Sequence, residues 1–244
     1  MKKQNRKFGA TLGTITAVAM LSGCAANMNI PGSNPLRQTS YVQQNYKGHA
    51  FEVGSVTLAN PKMDKPAWDH PLPGKYYLKL IRAELLAAFQ HYHLGDGTKP
   101  AYKVNVAVKD WHFTSGGFDT WTVGHLYADT SVENPQTGQS TPPFQVKVWD
   151  AGGYRWAYWS APSWDYCRRL PVGLGVFVAK DMKRLQEGKS LDDFSNSYDG
   201  LWNADMDQFR GVITPGNSLS QQQIEQITGL SKEQLEDYAK KAGS

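Results

Sequence analysis

Cysteine, the most reactive side chain in proteins, occurs only twice among these 244 residues, as Cys24 and Cys167. A thiol does chemistry as a thiolate, and Arg168 and Arg169 would lower the pKa of Cys167. A base would have to come from His112 or His125, both distant in sequence, and no nucleophile signature surrounds the thiol. Cys167 beside Tyr166 reads as a small buried residue. His91 and His93, with Asp96 beyond and Asp69-His70 on the preceding loop, have the chemistry of zinc ligands. Residues two apart on a helix point about 200° apart, so His91 and His93 cannot share a metal while the helix continues. Asp110, Asp119, Asp129, Glu133, Asp150 and Asp165 are carboxylates on or beside strand-like segments, the raw material for paired acid–base chemistry. No spacing among them defines a pair, and solvation of strand ends is the simpler role. No catalytic residue, metal site or cofactor is assigned.

Cys24 stands in a different context. Lys2, Lys3, Arg6 and Lys7 precede an apolar run from Phe8 to Leu21, and Ser22-Gly23 follow. A basic start, a short apolar core and small residues make a secretory signal peptide. The run falls short of the ~20 residues needed to span a membrane. Leu21-Ser22-Gly23-Cys24 resembles the lipobox of bacterial lipoproteins. The resemblance implies cleavage before Cys24, a diacylglyceryl thioether on its sulfur and acylation of the new α-amine. Ala25 and Ala26 stand where an Asp would imply retention in the inner membrane, so the resemblance implies the outer membrane, facing the periplasm. Two or three acyl chains anchor stably, because each buried methylene adds about 0.8 kcal/mol.

Four of the 26 basic residues lie in that leader, and 22 then face 22 acidic residues. The basic balance belongs to the leader, and the rest offers no global field for nucleic acid or anionic lipid. With Cys24 acylated, Cys167 has no partner for an internal disulfide. Residues 24–46, rich in Asn, Gln, Ser and Pro, read as a lipidated tether spanning roughly 25 Å in the r.m.s. sense and about 75 Å at full stretch.

The aromatic stretch 149–166 is the densest feature: Trp149, Tyr154, Trp156, Tyr158, Trp159, Trp164 and Tyr166. If residues 144–150 and 154–160 form a hairpin, register decides their role. An even loop places Trp149, Tyr154, Trp156 and Tyr158 on one face with Gln145 and Lys147, a surface suited to stacking on sugars or to a protein partner. A three-residue Ala151-Gly152-Gly153 loop with a bulge packs Tyr154, Trp156 and Tyr158 into the core with Phe144, Val146 and Val148. Trp and Tyr also favour a membrane interface.

The elements that must position these residues follow from periodicity. His49–Asn60 is strand-like, and 61–74 is a Pro/Gly-rich loop. From Lys75 to His93, Leu78, Ile81, Leu85, Ala88, Phe89 and Tyr92 recur at helical steps, with Gly95 as the stop. Tyr102, Val104, Val106 and Val108 alternate with polar residues, the mark of a half-buried strand. Strands follow at 120–132, 144–150 and 154–160, and a weaker helix at Val172–Glu187. Two short helices end the chain, Ser231 with Gln234 fitting a capping box. The expectation is an α+β fold: a mixed or antiparallel sheet carrying one or two helices over 47–188, then a polar linker and a small helical appendage over 189–244. This order is similar to small envelope lipoproteins of secretion, lipopolysaccharide-delivery and transport-auxiliary machines. The function expected is a non-enzymatic interaction or assembly component of the envelope, anchored to membrane and bound to an envelope protein. The alternative is a glycan-binding or glycan-processing lipoprotein using Trp149, Tyr154, Trp156 and Tyr158.

Overall fold

The structure, a computed structural model, describes residues 46–66, 71–115, 122–141, 143–152, 162–189 and 219–242. The alternating valines of the clearest sequence pattern lie on β2 (Thr98–Ser115), paired with β1 (His49–Leu58) on one side and β3 (Thr122–Glu133) on the other. β4 (Phe144–Gly152) completes a four-stranded sheet in the order β1-β2-β3-β4. β2, β3 and β4 run antiparallel, whereas β1 and β2 run parallel. A parallel neighbour requires a crossover, and α1 (Gly74–His91) supplies it. The fold is α+β with a mixed sheet.

Alternation divides the sheet into two faces. Val104, Val106 and Val108 of β2, Leu126, Ala128 and Val132 of β3, and Phe144, Val146 and Val148 of β4 are buried in one core. That core also takes Leu80, Ile81, Leu85, Ala88 and Phe89 from α1, and Leu174, Val178, Met182 and Leu185 from α2 (Pro162–Gln186). A bulge between Val108 and Asp110 restores Trp111 to the core, where its ring packs 3.7 Å from that of Tyr77.

Three details differ from the sequence reading. The buried stripe of α1 runs Tyr77, Leu80, Ile81, Glu84, Leu85, Ala88 and Phe89, leaving Leu78 and Tyr92 only partly buried and Leu86 49 % exposed. Leu78 and Tyr92 still pack against this core, and the stripe admits an acid, Glu84, that hydrophobicity alone does not pick out. His93 stops α1, not Gly95. It adopts φ 54°, with His93 N–H donating to Gln90 and Leu94 N–H to Phe89, a Schellman closure. α2 starts ten residues before the expected Val172, at Pro162, and carries Pro171 inside it. Its residues 170–179 are all buried. A helix enclosed on every side has no polar face to mark its period, and an internal proline reads as a break.

The C-terminal helices α3 (Gln221–Thr228) and α4 (Lys232–Ala242) form as expected. Both begin with reciprocal caps: Ser220 with Gln223, and Ser231 with Gln234. Gly229 at φ 75° closes α3 and turns the chain into α4. The pair docks on α1: Lys79 Nζ donates to the Thr228 carbonyl at 3.0 Å, and the Tyr76 and Tyr238 rings meet at 6.1 Å. No described helix is long and apolar enough to cross a membrane.

Candidate interaction surfaces

At one end of the sheet a single amide gathers three chain segments. Gln186, the last residue of α2 and 8 % exposed, directs Nε2 at the carbonyls of His49 (3.0 Å), Leu94 (3.3 Å) and Asp96 (2.8 Å). Its Oε1 accepts from Lys183 Nζ at 2.9 Å, and its backbone carbonyl accepts from Gly48 N at 2.8 Å. The start of β1, the α1–β2 loop and the end of α2 are thereby fixed together. Tyr46, the first described residue, is buried there between Phe51 and Tyr102, at ring distances of 5.8 and 5.1 Å. Burial first, and then Tyr102, push the Tyr46 phenol up to about 12. The chain thus enters the fold at the end that Gln186 closes.

The sheet face away from α1 and α2 carries a polar lattice. Ser55 N–H and Oγ donate to Asn105 Oδ1 at 2.8 and 2.9 Å, and Asn105 Nδ2 donates to Glu133 Oε2 at 3.0 Å. Lys109 pairs with Asp129 at 3.2 Å. Cross-strand polar pairs of this kind suit a surface in water, and they hold β1, β2 and β3 in register. The character changes further along β3. Tyr127 Oη and His125 Nδ1 lie 3.2 Å apart with their rings stacked, and His125 is only 3 % exposed. Burial first, and then the Asp110 carboxylate, raise the Tyr127 pKa. Asp110 stands opposite Tyr127 in the ladder, and Trp149 stands opposite His125.

Between the helices lies Glu84, 3 % exposed, whose Oε2 has no hydrogen-bond partner among the described residues. Burial alone pushes its carboxyl up to about 7. The indole N–H of Trp111 and the hydroxyl of Thr130 are also buried without a partner among the described residues.

Among the residues singled out from sequence, His91 ends α1 and meets the Tyr92 ring edge-on, while His93 sits 3.5 Å from Asp96 on the exposed turn beyond. Asp129 and Glu133 belong to the polar lattice, and Asp110 accepts from the Trp111 N–H at 2.9 Å. Among the described residues no three His, Cys, Asp or Glu side chains converge as metal ligands. Trp149 and Cys167 are placed by backbone only, in β4 and α2. Trp164 and Tyr166, the last aromatics of the stretch, are on α2. Cys24, the leader, the tether, Asp69, His70, Asp119, Tyr154, Trp156 and Tyr158 lie outside the described residues. Glu84 carried a signal in the sequence, an acid three residues from Ile81 and four from Ala88 on the apolar stripe. Gln186 carried none.

No family model matches the chain, and no curated protein matches it. Three solved structures overlap it loosely. A candidate lipoprotein from Caulobacter crescentus is 12 % identical with a TM-score of 0.35, covering 56 % of this chain and 90 % of its own. A minor lipoprotein from Acinetobacter baumannii is 13 % identical with a TM-score of 0.34, covering 55 % and 92 %. A hypothetical protein from Chlamydia trachomatis is 11 % identical with a TM-score of 0.26, covering 61 % and 98 %. Overlaps this loose do not define a common fold.

Proposed function

We propose that this chain is a lipid-anchored protein of the bacterial cell envelope, held at the outer membrane through Cys24 and acting by contact with an envelope protein. The observation that carries the reading is Leu21-Ser22-Gly23-Cys24 behind a basic, apolar leader, some twenty residues ahead of Tyr46, where the chain packs into the domain. Acylation of Cys24 supplies the anchor, and the α+β body supplies the contact surface. The polar sheet face built from Ser55, Asn105, Glu133, Lys109 and Asp129 is the surface offered to the partner. Its side chains are already hydrogen-bonded to one another in fixed positions, so a partner would meet preorganised donors and acceptors.

The anchor is tested by Cys24→Ala. The variant should leave the membrane fraction and lose the mass of the acyl groups, and unchanged membrane association refutes the anchor. Density separation of the two membranes checks the sorting implied by Ala25 and Ala26. The contact role is tested by crosslinking from the sheet face in intact cells, followed by mass spectrometry. Recovery of no specific envelope protein counts against it.

A further inference from the structure

The Gln186 clasp brings together more than backbone. Lys47 lies just ahead of β1, Lys99 at the start of β2, Lys183 and Arg184 in the last turn of α2, and Lys189 just beyond it. Gly188 lies against the aliphatic stem of Lys47, so the first and last of these segments touch. Cations at a helix C-terminus are favoured by the macrodipole, which accounts for Lys183 and Arg184 in the last turn of α2. It does not account for Lys47 and Lys99, which the parallel pairing of β1 and β2 brings to this end, where Gln186 ties the entry of β1 and the α1–β2 loop to the helix. Opposing charge at this end includes Glu187, which bonds Lys189 at 2.7 Å, and Asp96, beside His93. Lys189 first, and then Lys183 and Arg184, hold the Glu187 carboxyl below its usual pKa, as expected for one anion among several cations.

A chain neutral overall outside its leader therefore concentrates positive charge at one end. That end is also where the polypeptide arrives at Tyr46 from the Cys24 side. We propose that this basic end, with Lys47, Lys99 and Lys189 outermost, docks the domain onto a bilayer that displays anionic headgroups. The proposal rests on the lipid-anchor reading. Attraction between a lysine and such a surface fades within a Debye length, ~8–10 Å at physiological salt, so a basic end acts only if the chain keeps it near the membrane. Residues 24–46, read as a tether and packed into the domain at Tyr46, have the length to do so. The docked domain would turn the far end of the sheet, with the 3-10 turn Pro61–Asp64, away from the membrane.

The test uses the full lipidated chain on vesicles of phosphatidylcholine, with or without phosphatidylglycerol. An amine-reactive reagent and mass spectrometry then compare labelling of Lys47, Lys99 and Lys189 with that of Lys62. Labelling of the three should slow several-fold on the anionic vesicles alone, with Lys62 unchanged, and high salt should remove the difference. Equal labelling on both compositions overturns the docking. Flotation separates the two readings: a wild-type chain that fails to float on neutral vesicles refutes the anchor, whereas docking is read from the difference between compositions. The K47E/K99E/K189E variant should float on both vesicle types, and hydrogen exchange of residues 94–99 should be slowed by anionic lipid in wild type but not in the variant. Persistence of that slowing in the variant also overturns the proposal.

Discussion

Gly175 of α2 lies directly against the backbone of Glu84 on α1: a Cβ at position 175 would sit 2.8 Å from both the carbonyl carbon and oxygen of Glu84. Two helices cross here at a distance that only glycine permits, and the obstructing atoms are main chain, which cannot rotate aside. Gly175→Ala should therefore push α1 and α2 apart, although alanine favours helix. A loss of about 1–3 kcal/mol is expected, the usual range for overpacking, read as a lower urea midpoint. A stability equal to or above wild type contradicts the crossing.

Glu84 makes the same crossing sensitive to pH. Its carboxyl titrates near 7 in the folded chain instead of the ordinary 4.5, because burial disfavours the charge. Between those values the unfolded chain has given up the proton and the folded chain has kept it. Stability from this group is thus highest below about pH 4.5, falls as pH rises, and levels off above about 7, a difference of roughly 3 kcal/mol. Glu84→Gln should flatten that part of the profile and raise the melting temperature at pH 8. An unchanged slope between pH 5 and 7 in the variant rejects the assignment.

Gln186→Met keeps bulk but removes the amide that faces three carbonyls. Taking this donor from the His49 and Asp96 carbonyls, while Leu94 keeps the bond from Phe51 N–H, should cost ~1–3 kcal/mol. Hydrogen exchange should rise first at Phe51, whose N–H donates to the Leu94 carbonyl at 2.8 Å. Loss confined to Lys183 and its neighbours would argue against the clasp.

Lys79→Met removes the ammonium that caps the end of α3. A loss of ~0.5–1.5 kcal/mol is expected, confined to the docking of α3 and α4. Limited proteolysis should accordingly speed up within residues 219–242 while the sheet keeps its protection.

Sequence and structure agree most closely where one physical signal acts alone. On β2, water on one side and helices on the other produce clean alternation, and Tyr102 to Val108 announced the strand. The capping residues Ser231 and Gln234 were readable because they act locally, within four positions. Glu84 shows the opposite case: its burial depends on Gly175, ninety-one positions later, and no local pattern records that approach. Hydrophobic periodicity left Glu84 off the core face because it had no means of admitting an acid there. At α2, Pro171 masked a helix whose first ten residues include Trp164, Tyr166 and Cys167. The carbonyls that Gln186 serves come from two distant segments, and a lone glutamine in the sequence does not reveal them.

The bond from Gln186 to His49 spans 137 positions. For a chain that emerges N-terminus first, β1 arrives early, yet its entry cannot be sealed until the end of α2 has followed. Closing so large a loop carries an entropic cost that local elements do not meet, and it slows the final step of folding. Until then the basic lysines of three segments remain separate charges on an incomplete chain. The end of the domain that holds Tyr46 is thus among its last parts to become a surface.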